Sequence, residues 1–445
     1  MDANVNSSGR LGLILRALRS RNYRLFFSGQ AVSLTGTWMQ NIALSWLVYR
    51  LSNSALILGV VNFAGSIPTF FLMPFAGVFA DRFSRHKILI GTQILMMIQA
   101  LVLAALVLLK LEKIWHLIAL SAFLGVVNAF DMPTRQAFVI DMIEDKKDLS
   151  NAIALNSSIF NVARLIGPSA AGLLIAAVGE GVCFLVNGLS YVAVILALLA
   201  MRMKERPIPA TISGSLRSLR EGFSYVHNFL PIRSIILLLG VVSLMGMSYS
   251  VIMPIYAKDV LQGGPQTLGF LMGAGGFGAL ASAIYLASRK SVLGLGRLIP
   301  LACGMFSLCL LALAASNNLH LSLLIMFPLG FGLMTQMASS NTLVQTMVDD
   351  DKRGRVMSIY AVAFAGISPF GALIAGSLAQ RLGALNTLLI GGIICVMGAA
   401  WFARKLPEIR KAARPVYVRH GIIPEVAAGL RAATQSTMLP EDQKK

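Results

Sequence analysis

Runs of about twenty apolar residues, each closed by a short polar or basic turn, recur along almost the whole chain; the windows Ile88–Leu109 and Leu298–Ala315 are typical. A helix rises ~1.5 Å per residue, so about 20 such residues cross the ~30 Å hydrocarbon core of a bilayer. The pattern predicts twelve spans, near residues 25–49, 54–80, 88–109, 115–140, 151–178, 181–201, 232–257, 266–287, 296–315, 319–347, 356–380 and 385–403. The first apolar run follows a long basic lead and is too long for the core of a cleavable signal, so it is expected to stay as a span.

Glycine spacing divides the twelve into two sets. Gly36, Gly59 and Gly65 recur 210 residues later as Gly246, Gly269 and Gly275, and Gly125 recurs 205 later as Gly330. Gly167, Gly172 and Gly179 recur 204 later as Gly371, Gly376 and Gly383. The fold class this implies is an all-α membrane protein of two six-helix bundles in parallel, related by a pseudo-two-fold axis. The expected organisation is a cytoplasmic amphipathic lead-in (1–24), an N-terminal bundle (25–201), a cytoplasmic linker (202–231), a C-terminal bundle (232–403) and a cytoplasmic tail (404–445). In the linker, Leu216, Leu219, Phe223, Val226 and Leu230 follow helical spacing, which predicts a helix lying along the membrane surface.

Composition agrees with lipid as the solvent. The chain is 56% hydrophobic and 13% charged, against about 25% charged in soluble domains. A net charge of +19 raises the question of nucleic acid, but its placement answers it. With twelve spans, 32 of the 38 Lys and Arg residues fall on one side of the membrane and 5 on the other, Arg164 lying inside a span. That is the positive-inside asymmetry, which puts both termini in the cytoplasm and makes nucleic acid an unneeded partner. Cys183, Cys303, Cys309 and Cys395 lie in spans without ligand-like spacing, so no metal is expected. No phosphate loop or nucleophile–base grouping is present, so an enzyme and a bound cofactor are not expected, and any pumping must draw on an ion gradient.

A charge inside a span costs ~2.5–3.5 kcal/mol on insertion scales, so it usually pairs or lines a wet cavity. Asp131 lies in span four, sharing a helix face with Asn128 and Arg135. Arg164 lies in span five, on a face with Ser157, Asn161 and Pro168. Short loops make these spans expected neighbours, so Asp131 and Arg164 come within reach of each other, and Arg135 is equally placed to satisfy the acid. The second half has Gln336 and Ser368 in their places. Two readings stay open: a fixed ion pair holding the first half together, or a proton-coupling pair whose protonation frees Arg164. Further polar and aromatic residues on the presumed cavity are Thr37, Trp38 and Gln40 of span one, Asn128, Asn161, Tyr249 of span seven and Gln336 of span ten. Few charges among them suit an amphiphilic solute.

"GVFADRFSRHK", between spans two and three, resembles the major facilitator superfamily motif G-x-x-x-D-R-x-G-R-[KR]. Gly77, Asp81, Arg82 and Arg85 match; Ser84 and His86 depart from it. The resemblance implies a conformational latch, with the acid reaching the start of the eleventh span; a plain topogenic basic loop is the other reading. "GPSAAG" resembles the family's fifth-helix motif G-P-x-x-G-G, with Gly167, Pro168 and Gly172 matching and Ala171 departing. Helix packing and gating are both open for it. "LRSRNYRLFFSGQAVSLTGTWMQNIALSWLVY", "DMPTRQAF" and "NAIALNSSIFNVARLIGPSAAG" are similar to the bacterial enterobactin-exporter-like branch, which includes siderophore, macrolide and drug exporters and lysophospholipid transporters. The resemblance implies a proton-coupled exporter of a small amphiphile in the bacterial inner membrane, working as a monomer with substrate, proton and lipid as its partners. A lysophospholipid flippase or uptake carrier, and a non-transporting receptor or scaffold, are the alternatives.

Overall fold

The computed structural model describes residues 15–203, 216–289, 291–349 and 352–419. All regular structure among them is helical. The helices are α1 (Arg21–Ser52), α2 (Ala55–Arg82), α3 (Arg85–Leu108), α4 (Ile114–Met142), α5 (Leu149–Val178) and α6 (Glu180–Leu199). Helix α7 (Leu216–Asn228) leads into α8 (Leu230–Val260), α9 (Pro265–Ala287), α10 (Leu295–Ala314), α11 (Leu319–Met347), α12 (Arg353–Leu382) and α13 (Ala384–Arg419). Eleven of these are long and apolar enough to cross a membrane. Helix α1, at 32 residues, has the length but not the hydropathy, because Arg21, Arg24 and a face of Gln30, Ser33, Thr37 and Gln40 dilute it. The protein is a multi-pass membrane protein of two six-helix bundles, α1–α6 and α8–α13.

The glycine repeat becomes close packing. A Cβ on Gly125 would lie 2.3 Å from the Gly65 carbonyl oxygen, and one on Gly330 would lie 1.9 Å from the Gly275 carbonyl oxygen. These are the same α2–α4 and α9–α11 contacts, once in each bundle. Between bundles, Gly59 meets Gly376 and Gly269 meets Gly172, again as a symmetry-related pair, α2 on α12 and α9 on α5. Small residues let helix backbones approach where lipid offers no hydrophobic drive to association. Gly179 and Gly383 both adopt positive φ (85° and 87°) and end α5 and α12 in the same way.

Two helices of the second bundle are not regular. Helix α8 contains π-helical stretches at Val242–Gly246 and Tyr256–Val260, and α12 contains one at Val362–Gly366. The Ser243 hydroxyl donates to the Phe364 carbonyl at 2.5 Å, joining the first and third of these.

The helix ends define two faces. Turns after α2, α4, α9 and α11 carry the basic residues and form the basic face; the opposite one is the far face. At the far face Tyr49 of α1 bonds Asp259 of α8, Lys258 donates to Asn53 at 3.2 Å, and Ser54 donates to Gln380 of α12 at 2.9 Å. These contacts tie one bundle to the other.

Candidate functional site

Asp131 sits on α4 about 16 Å from the helix's basic end and is fully buried. Its Oδ1 accepts from Thr92 Oγ1 at 2.9 Å and from Gln93 Nε2 at 2.8 Å, both on α3. Its Oδ2 faces Arg135 at 3.0 Å, one helical turn on, and Arg135 in turn donates to Gln30 of α1 at 3.2 Å. The carboxylate is therefore held between α3 and its own helix, with α1 reached through Arg135 and Gln30. A buried charge is tolerable only when paired and hydrogen-bonded, and this one is both.

Asp131 and Arg164 do not meet; Arg135 takes the acid instead. The reason is topological. Helix α4 packs on α2 and α3, whereas α5 packs on α1 and on α9 of the other bundle, so two helices joined by a short loop scarcely touch. Arg164 points elsewhere. Its guanidinium lies 5.8 Å from the centre of the Trp38 ring of α1 and interacts with the Tyr249 hydroxyl of α8. Trp38 also meets Phe160 edge-on at 5.7 Å, and Tyr249 meets Phe306 at 6.2 Å. Among the described residues Arg164 has no carboxylate partner. Here α1, α5 and α8, from both bundles, present one cation among aromatic rings. Exposed Ile153, Ser157 and Phe160 follow at spacings of four and three on α5 and lead from its basic end up to Arg164.

Immediately beyond Arg164 is the tightest contact between bundles. Pro168 cannot donate to the Arg164 carbonyl, and Gly276 of α9 packs against that oxygen, where a Cβ would lie 2.7 Å away. A Cβ on Gly269 would come within 2.5 Å of the Pro168 carbonyl oxygen, and one on Gly172 within 2.9 Å of the Gln266 α-carbon. Gly167 packs against Trp38 on α1. The fifth-helix motif thus faces both α1 and α9.

The remaining candidates are placed as follows. Gln40 does not line an open cavity: it is buried, donating to Gln99 at 3.0 Å and accepting from Asn187 at 2.8 Å, which joins α1, α3 and α6. Thr37 bonds the Ser33 carbonyl and faces the Tyr191 hydroxyl at 3.4 Å. Asn161 is buried and bonds the Ser157 carbonyl, while Asn128 is half-buried on α4. Gln336 is buried on α11 with neither amide atom hydrogen-bonded. In the loop motif, Arg85 pairs with Asp141 of α4 at 3.2 Å, Arg82 is exposed, and His86 Nε2 lies 2.8 Å from the Leu198 carbonyl. The surroundings of Gly77 and the side chain of Asp81 lie outside the described residues. Sequence reasoning missed Thr92, Gln93, Gln99 and Asn187, although polar residues inside apolar runs are themselves a signal. It also missed Tyr49, Lys258 and Asp259, which mark the ends of spans.

Comparison with known proteins fits this architecture. The family described as "Transmembrane secretion effector" matches residues 14–433. The staphyloferrin A transporter of Staphylococcus aureus is 27% identical over 395 residues, covering 87% of this chain and 97% of its own. Macrolide efflux protein A of Streptococcus pyogenes is 21% identical, covering 88% and 98%. The multidrug efflux pump Tap of Mycolicibacterium fortuitum is 24% identical, covering 85% and 95%. Among solved structures, a POT family transporter in complex with 5-aminolevulinic acid superposes with a TM-score of 0.70 at 12% identity, covering 88% of this chain and 97% of that one. The nucleoside transporter NupG superposes with a TM-score of 0.64 at 14% identity, covering 87% and 98%.

Proposed function

Because the chain belongs to the transmembrane secretion effector family, within the major facilitator transporters, and is by family and fold a transporter rather than an enzyme, we propose that it exports an amphiphilic small molecule, a drug or siderophore, in exchange for protons. The observation that carries this reading is the separation of two embedded charges into two sites: a clasped acid, Asp131, inside one bundle, and an uncompensated cation, Arg164, among aromatic rings between the bundles.

Each site suits one half of an exchange. The rings of Trp38 and Phe160 offer apolar area with buried Tyr249 behind the guanidinium, and Arg164 offers one positive charge to an anionic group on the cargo. A sugar phosphate would leave most of this surface unused. Asp131 is the proton acceptor in this scheme. Protonation removes the attraction to Arg135, which keeps its bond to Gln30 on α1, so the charge state of α4 acts on the helix that carries Trp38. Neutral and ionised forms then favour different packings of α1, α3 and α4, and the proton gradient selects between them. The ties at the far face, with the exposed stripe of α5 toward the basic face, support a conformation open to the basic side. That side is the cytoplasm by the positive-inside asymmetry, in the bacterial inner membrane, with both termini cytoplasmic and a single chain as the transport unit. The bundles at 25–201 and 232–403 are the units that rock, and the 202–231 linker joins them. Asp81, Arg82 and Arg85 latch the basic side when it closes.

The test is purified carrier in vesicles with an imposed pH gradient, assayed against a panel of labelled siderophores and amphiphilic drugs. Wild type is expected to move at least one of them only when the gradient is present. Asp131→Asn is expected to lose gradient-driven accumulation by at least tenfold while still exchanging labelled for unlabelled cargo. Full gradient-driven accumulation by that variant would falsify the proton role of Asp131.

A further inference from the structure

Away from the transport path, a cavity of about 390 Å³ opens at the basic end of the second bundle, where α13 passes the ends of α8, α10 and α11. Helix α13 is 36 residues long, ~54 Å, so its last turns run beyond the hydrocarbon core. Phe402, Leu406, Arg410 and Arg414 follow at every fourth residue, so one face of α13 passes from apolar to cationic as it leaves the membrane. Leu343 and Met347 of α11 complete the apolar floor, and Arg297, at the start of α10, brings a third guanidinium to the rim.

Among the described residues no carboxylate lines this cavity. The described acids nearby are engaged with other cations: Glu408 with Lys405 at 2.9 Å, and Asp349 with Lys352 and Arg419, each at 3.5 Å. Arg297, Arg410 and Arg414 are exposed and have no ion pair among the described residues. From Arg297 the outer face of α10 continues through Leu301, Gly304 and Leu308. Leu301 is 69% and Leu308 60% exposed, and a Cβ on Gly304 would meet nothing within 4 Å. An exposed apolar strip of α10 therefore runs from Arg297 into the depth of the membrane for about 16 Å.

We propose that this cavity binds an anionic diacyl phospholipid from the leaflet at the basic face. Its phosphate sits among Arg297, Arg410 and Arg414, and an acyl chain lies along the exposed Leu301–Leu308 strip. Three arginine forks match phosphate oxygens in charge and geometry, and a basic pocket at the inner interface is where such headgroups are held. The bound lipid bridges α10 and α13, so the anionic lipid content of the membrane sets how firmly the end of α13 is held to its bundle.

Native mass spectrometry of the full-length protein tests this, with phosphatidylglycerol and phosphatidylcholine of identical acyl chains as probes. A basic residue near an anionic surface is worth about fivefold. Wild type is expected to retain phosphatidylglycerol at least tenfold over phosphatidylcholine. R297Q/R410Q/R414Q is expected to lose that preference by at least tenfold, and R297K/R410K/R414K to keep an intermediate one. R404Q/K411Q, which removes two exposed charges from the same segment outside the cavity, is expected to behave as wild type. Three outcomes overturn the proposal: undiminished preference in the glutamine triple variant, an equal loss in R404Q/K411Q (diffuse attraction only), or displacement of the lipid by equimolar glycerol phosphate (a soluble-anion site). Should the triple variant not fold, the single Arg→Gln variants decide, each expected to lower the preference two- to fivefold against no change if the proposal is wrong.

Discussion

Asp131 is buried away from bulk solvent, so its neighbours must supply what hydration would. Two neutral donors on α3 satisfy one carboxylate oxygen, and Arg135 supplies the charge for the other. Removing one partner of a buried pair is far more damaging than removing both. Arg135→Gln is therefore expected to lower the melting temperature of the detergent-solubilised protein by several degrees, and Asp131→Asn/Arg135→Gln to recover most of that loss. An equal or larger drop in the double variant would show that the pair contributes little. At the other charge, the Trp38–Arg164 contact predicts coupled losses in cargo binding. A cation over an indole is worth about 0.5–2 kcal/mol, so Trp38→Ala and Arg164→Gln should each weaken binding roughly two- to thirtyfold. The double variant should be weaker than either by less than the product of the two; strict multiplicativity in a binding titration would separate the residues into independent roles. The sequence announced both charges, since each breaks an apolar run. It misdirected their pairing, because adjacency along the chain says nothing of which helices pack.

At the scale of helices, the glycine spacing was the most legible feature of the chain. Gly65 on Gly125 and Gly275 on Gly330 are one contact made twice, and the offsets of 210 and 205 already carried it. What spacing cannot convey is partner choice: Gly59 and Gly269 sit at repeat positions, yet each packs against the opposite bundle. The π-helical stretches in α8 and α12 were also hidden, because one extra residue per turn leaves hydropathy unchanged. For α5, the motif around Pro168 gains a physical reading as a close helix crossing. Gly269→Val and Gly276→Ala are expected to push α9 off α5 and to cut transport at least tenfold, with the protein still extractable and folded. Gly91→Ala, whose added methyl group meets nothing within 4 Å, is the control and should transport normally. If all three variants behave alike, the crossing is not where tolerance is lost.

Over the whole molecule, the proposed exchange requires movement about the α5–α9 and α2–α12 crossings. These two crossings are related by the pseudo-two-fold axis, so closing the far ends of both is a single rotation of one bundle against the other. The polar contacts beyond them are a tyrosine on an aspartate, a lysine on an asparagine and a serine on a glutamine, set over buried apolar residues such as Trp46 and Ile252 of one core cluster. Polar contacts of this kind exchange readily with water when a face opens. A carrier that must open this face on every cycle should therefore stop when it is tied. Cysteines replacing Ser54 and Gln380, whose hydroxyl and amide oxygen meet at 2.9 Å across the bundles, provide the tie when a short reducible bis-thiosulfonate reagent spans the length of the lost glutamine side chain. The native thiols at Cys183, Cys303 and Cys395 are buried and Cys309 is half-buried, so the reagent should act first on the introduced pair. Cross-linked S54C/Q380C in vesicles is expected to lose transport by at least tenfold and to regain it on reduction, with cargo still able to bind from the basic side. A cross-linked carrier that transports at the full rate would mean that the bundles do not rock about these crossings, and that cargo leaves by another route.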